Sequence, residues 1–91
     1  MKYQIFYHEF VVKSDIQKLS KVNKERIKKA IEEKLIRYPE KFGRPLRRSL
    51  KGYRRLRVGD FRVVFRIENK RVKILAIAHR SVVYKTIELR I

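Results

Sequence analysis

The chain has 91 residues, with 26 Lys+Arg against 9 Asp+Glu, a formal net charge of +17 and 44% hydrophobic residues. That length supports one modest core, so a single domain over residues 1–91 is expected. The charge lies far outside what solubility requires and points to a polyanionic partner: nucleic acid, an anionic surface or an acidic protein.

The absence of cysteine excludes a disulfide framework and a thiolate metal site. No window approaches the ~18 apolar residues of a membrane span, so no membrane partner is expected. The start, MKYQIFYHEF, lacks the apolar run of a signal peptide, and a reducing cytoplasm fits.

Residues 2–8 alternate loosely, with Tyr3, Ile5 and Tyr7 against Gln4, Phe6 and His8, which predicts a strand. His8 is isolated and reads as structural. Ser14 or Asp15 is expected to cap a short helix reaching about Leu19. Asn23 is expected to cap a second helix, with Glu25 favourably placed near its start. In that helix Ile27, Ala30, Ile31, Leu35 and Tyr38 form an apolar stripe, with Lys24, Lys28, Lys29, Glu32 and Glu33 opposite. Pro39 ends the helix, and residues 39–45 read as a loop.

A basic segment follows. Between Glu40 and Asp60 there is no acid, while Lys41, Arg44, Arg47, Arg48, Lys51, Arg54, Arg55 and Arg57 all occur. Three strands come next, joined by Gly59-Asp60 and Asn69-Lys70, residues that tolerate the positive φ of two-residue hairpin loops. These loops set Arg57 opposite Arg62 and Arg55 opposite Val64 in the first hairpin. In the second they set Ile67 opposite Val72, Val64 opposite Leu75 and Arg62 opposite Ile77.

Period-two alternation then gives an apolar face of Leu56, Val58, Phe61, Val63, Phe65, Ile67, Val72, Ile74, Ala76 and Ala78. The other face carries Tyr53, Arg55, Arg57, Arg62, Val64, Arg66, Lys73, Leu75, Ile77 and His79. The like-charge pair Arg57–Arg62 is mildly destabilising, which suits a site that favours function over stability. Residues 82–91 are compatible with either a short helix or a strand. The expected fold is α+β: an N-terminal strand, a helical hairpin and an antiparallel three-stranded meander, in two layers. The helices would lie on the apolar sheet face and the basic face would stay open.

In this order, RLRVGDFRVVF (Arg55–Phe65) and AHRSVVY (Ala78–Tyr84) resemble the RelE/ParE superfamily of type II toxin–antitoxin toxins, over almost the whole chain. The resemblance implies the RelE-like two-layer fold, a cognate acidic antitoxin, and one of two activities. RelE-type members are endoribonucleases that cleave messenger RNA in the ribosomal A site without a metal. ParE-type members poison DNA gyrase. In the RelE pattern the site positions correspond here to Arg55 and Arg57, Arg62, Arg80 and Tyr84. His79 stands where related nucleases carry a C-terminal histidine. The RelE type has lysines where this chain has Arg55 and Arg57, and arginine is too basic to act readily as a general base.

Metal-free cleavage requires a base for the ribose 2′-hydroxyl, an acid for the leaving 5′-oxygen, and cations for the phosphorane. Arg55, Arg57, Arg62 and Arg80 suit the last role, because planar guanidinium groups grip phosphate oxygens bidentately. His79 is the one side chain of the cluster that ordinarily exchanges protons near neutral pH, and it suits either the base or the acid. Tyr84 is placed to stack on a base or to share in proton transfer. Arg47, Arg48, Lys51 and Arg54 are expected to add RNA contacts. No cofactor or metal is expected. The ribosome and messenger RNA are the expected partners, against the alternatives of a gyrase inhibitor and a non-catalytic RNA- or ribosome-binding module.

Overall fold

The computed structural model describes residues 2–91. In chain order the elements are β1 (Gln4–Tyr7), a helical segment over residues 9–18, α1 (Lys21–Ala30), α2 (Pro39–Phe42) and β2 (Arg44–Pro45). Then follow β3 (Tyr53–Val58), β4 (Phe61–Glu68), β5 (Arg71–His79) and α3 (Val83–Glu88). The strands form one sheet in the order β1-β5-β4-β3-β2. β1 runs parallel to β5, and the other pairs are antiparallel. The expected α+β architecture is present, with β2 and α3 added to it.

The helices start where backbone donors find acceptors. Ser20, not Asn23, caps α1: its hydroxyl accepts from the Asn23 N–H at 3.2 Å. A wide helical turn over Ile31–Leu35 extends α1 and keeps the Ile27, Ala30, Ile31 and Leu35 stripe against the sheet. Pro39 does more than end that helix. It opens the single turn of α2, where its missing N–H costs nothing.

Neither Ser14 nor Asp15 acts as a cap. Asp15 lies inside the first helical segment and is buried. Both of its carboxylate oxygens accept from Arg90 at 2.7 Å, and Oδ2 also accepts from the Ile77 N–H at 2.9 Å. Arg90 in turn donates to the Leu75 carbonyl at 3.0 Å. This buried clamp joins the first helical segment, β5 and the residues just beyond α3.

The two hairpin loops form as the sequence requires, with Gly59 at φ 60° and Asn69 at φ 57°. The β3–β4 register is also as expected, with Arg57 opposite Arg62 and Arg55 opposite Val64. The β4–β5 register corrects the expectation. Ile67 does face Val72, but an irregularity at Val64/Phe65 leaves Leu75 as an extra residue on β5. Beyond it Val64 faces Ala76 and Arg62 faces Ala78, where Leu75 and Ile77 were expected. The bulge turns Ile77 into the helix-side core and brings Ala76 and Ala78 to the opposite face.

That opposite face is not left open, which is the second correction. Residues 83–88 settle as a helix, and α3 buries Val83 and Ile87 on Val64, Leu75 and Ala76, with Leu46 completing a second small core. The small side chains delivered by the bulge let α3 approach closely. The larger core lies on the other side, where Val11, Ile27, Ile31 and Leu35 meet Leu56, Val63, Phe65 and Ile74. Among the described residues no helix is long and apolar enough to cross a membrane.

Candidate functional site

α3 covers the middle of its sheet face and leaves the end nearest the β3–β4 turn uncovered. Register places Arg55, Arg57 and Arg62 on that end. Three adjoining depressions open there. One of about 300 Å³ is lined by Phe42, Arg44, Arg55, Arg57 and Arg62. A second, about 370 Å³, is lined by Arg55, Arg62, His79, Arg80, Ser81 and Tyr84. A third, about 500 Å³, runs between β2 and α3 past Arg44, Leu46, Arg47, Leu50, Arg55 and Tyr84. Arg55 belongs to all three, so they form one cationic trench. No acidic side chain lines it.

Each cation is positioned by local structure. Arg62 donates to the carbonyls of Gly59 (3.1 Å) and Phe61 (2.9 Å), which holds its guanidinium over the hairpin turn. The Arg55 guanidinium donates to the Tyr84 phenol oxygen, so the first turn of α3 is bonded to the centre of the trench. Because that oxygen accepts, the phenol O–H remains free to donate. Arg80 lies across the first hairpin loop. Its N–H donates to the Asp60 carbonyl at 2.8 Å, and its guanidinium lies 3.8 Å from the Asp60 carboxylate, an exposed and therefore weak pair.

His79 departs from its expected place. In the observed register it pairs with Phe61 and shares that residue's face, its ring edge-on to Phe61 at 5.8 Å between centroids. It still lines the trench because β5 ends there. Its Nδ1 accepts from the Ser81 N–H at 3.1 Å and lies 2.8 Å from the Ser81 hydroxyl. A backbone N–H can only donate, so the neutral ring carries its proton on Nε2. In this geometry His79 offers a donor to the trench. The base role open to it in the sequence would need the other tautomer.

The remaining basic residues separate. Arg47 lines the trench. Arg48 is exposed on the adjoining turn with φ 60°. Lys51 lies in a different depression, shared with Glu40 and Tyr53. Arg54 turns to the helix side, where it donates to the carbonyls of Gly43 (2.9 Å) and Glu40 (3.3 Å) and fastens α2 to β3.

Among the aromatic and basic residues of the trench, Phe42 and Arg44 were missed in the sequence. The signal was faint: β2 has only two residues, one of them Pro45, a residue tolerated on sheet edges. Once β2 pairs with β3, Arg44 stands opposite Arg55 and joins Arg55, Arg57 and Arg62 as the fourth guanidinium of the depression beside Phe42. Among the described residues no group of three or more His, Asp or Glu side chains is placed to hold a metal ion. What the arrangement can bind is an extended anion with several phosphate-like groups.

Known proteins share this arrangement of chain. Residues 11–84 match the family described as the ParE toxin of type II toxin–antitoxin system, parDE. The chain therefore belongs to this family, within the RelE/ParE superfamily of toxins. A curated relative, Toxin RelE of Mycobacterium tuberculosis, is 43% identical over 53 residues, covering 56% of this chain and 55% of the relative. The match thus spans about half the length of that protein.

Among solved structures, the toxin–antitoxin complex RelBE2 from Mycobacterium tuberculosis contains a similar chain. It superposes with a TM-score of 0.81 at 29% identity, covering 88% of this chain and 100% of that one. The archaeal RelE–RelB complex from Pyrococcus horikoshii gives 0.67 at 31% identity, covering 88% and 97%.

Proposed function

We propose that the chain acts, as a single domain, as a ribosome-dependent messenger RNA endonuclease toxin that cleaves without a metal. The observation carrying this reading is the convergence of Arg44, Arg55, Arg57 and Arg62 on one trench with His79 and Tyr84 at its rim. In the reaction the ribose 2′-oxygen attacks the adjacent phosphorus and the bond to the 5′-oxygen breaks. The products are a 2′,3′-cyclic phosphate and a 5′-hydroxyl. The guanidinium groups hold the phosphate and oppose the charge that builds on its oxygens. In its imidazolium form, with Nδ1–H turned on the Ser81 hydroxyl, His79 gives its Nε2 proton to the leaving 5′-oxygen and returns to the neutral ring. Tyr84, bonded to Arg55, takes the proton released by the 2′-hydroxyl as it hands its own phenol proton to solvent water.

A cognate antitoxin with an acidic, partly helical segment keeps the toxin silent. The +17 charge favours such a partner, and the solved relatives named above are toxin–antitoxin complexes. The second reading, a gyrase inhibitor, draws on the ParE description of the matching family. It gives no role to the His79–Ser81 arrangement.

The test is single-turnover cleavage of messenger RNA on purified ribosomes. His79→Ala is expected to slow cleavage by about 10²–10⁴, and Arg62→Ala by about 10²–10³. Ribosome binding should weaken much less, because many other cations contribute to it. Cleavage at the parental rate by both variants would remove these residues from the chemistry.

A further inference from the structure

Phe42, the last residue of α2, is 36% exposed, whereas Pro39 at the start of the same turn is fully buried. Local packing aims it outward. Gly43 follows it, and any side chain there would collide with the Phe65 ring, so the backbone lies flush on the sheet and Phe42 is left at the trench wall. The ring shares its depression with Arg44, Arg55, Arg57 and Arg62. The ammonium groups of Lys34 and Lys41 lie 5.5 and 5.6 Å from its centroid. Tyr38 meets it edge-on at 6.3 Å and is itself 54% exposed. An aromatic face kept in water and ringed by cations matches the combination that binds single-stranded nucleic acid: stacking surface beside phosphate contacts.

We propose that Phe42 is a stacking platform for a nucleobase of the RNA strand whose phosphates lie on Arg44, Arg55, Arg57 and Arg62. This rests on RNA being the ligand of the trench. Stacking displaces the lysine ammonium groups from the ring, and their flexible stems let them move to neighbouring phosphates. The platform accepts any base, since every base has a π-face, and it sets the position of the strand along the trench.

The experiment compares binding of a short single-stranded RNA, inorganic polyphosphate of matched charge, and poly-glutamate to the full chain and its variants. Phe42→Ala should weaken RNA binding roughly 5- to 150-fold and leave polyphosphate binding unchanged. Phe42→Trp should keep RNA affinity. It places an indole in a chain that has no tryptophan, and RNA but not polyphosphate should quench its fluorescence.

Arg57→Ala tests the underlying reading separately, and RNA affinity that survives it overturns the trench as the RNA site. If Arg57→Ala weakens RNA binding and Phe42→Ala does not, only the platform is wrong. The platform is also overturned if Phe42→Ala loses both anions alike, if it loses chiefly poly-glutamate (the mark of a protein-docking residue), or if the indole is not quenched by bound RNA.

Discussion

Removing the Asp15 carboxylate should strongly destabilise the protein. Its side chain and that of Arg90 are 5% and 9% exposed, and two hydrogen bonds of 2.7 Å join them. Asp15→Ala leaves the guanidinium buried with no anion, only the Leu75 carbonyl and the Phe10 ring 5.6 Å away, and it also orphans the Ile77 N–H. Breaking one side of a buried pair costs about 3–5 kcal/mol. Total stability for a domain of this size is on the order of 5–15 kcal/mol, so the loss is a large fraction of it.

At about 4–8 °C per kcal/mol for small domains, the melting temperature should fall by roughly 12–40 °C. Circular dichroism melts of the parent, Asp15→Ala, Arg90→Met and the double variant Asp15→Leu/Arg90→Met provide the assay. The double variant should recover much of the loss, because apolar residues of similar volume can replace a buried pair. A single variant that melts within a few degrees of the parent would show that the buried pair does not hold the fold, as would a double variant as unstable as the two single losses combined. Tyr84 sits on α3, whose C-terminal end this clamp fastens, so Arg90→Met should also loosen the Arg55–Tyr84 contact.

Three further outcomes are expected. Gly43→Ala pushes a methyl group into the Phe65 ring and to 3.1 Å from the Pro39 carbonyl, and should cost about 1–3 kcal/mol in urea unfolding. The Glu68 carboxyl is held below its ordinary 4.5, chiefly by the Lys73 hydrogen bond at 3.1 Å and then by Arg66. A lowered folded-state pKa adds stability above the unfolded value and loses it as pH falls through the folded one. The stability gap between the parent and Glu68→Gln should therefore close as unfolding is measured from near neutral pH down into that acid range. Tyr84→Phe removes the acceptor for Arg55 and the phenol proton together, and should lower single-turnover cleavage by about 10²-fold or more, with the fold intact by circular dichroism.

The hairpins and the grouping of Arg55, Arg57 and Arg62 were legible because Gly59 and Asn69 fix the turns, while the alternating arginines fix the phase of β3 and the start of β4. The phase of β5 was not fixed. Ile74, Leu75, Ala76, Ile77 and Ala78 are all apolar, so a one-residue bulge leaves no charge misplaced and no trace in the pattern. α3 was ambiguous for a similar reason: Val83 and Ile87 carry the buried stripe, but Leu89 is 82% exposed and blurs it. The Asp15–Arg90 clamp links residues 75 positions apart, a distance no local pattern records. Ser20 and Asn23 are both good caps, and only the chain's entry into α1 separates them.

If the guanidinium trench cleaves RNA, the cut ends of the message will show it directly. The most direct measurement maps messenger RNA ends after incubating the chain with ribosomes programmed with a defined A-site codon, alongside a DNA supercoiling assay with gyrase. New fragments ending in a 2′,3′-cyclic phosphate and a 5′-hydroxyl are expected at the A-site codon, lost in Arg62→Ala, with supercoiling unaffected. Intact messenger RNA together with arrested supercoiling would instead identify a gyrase inhibitor.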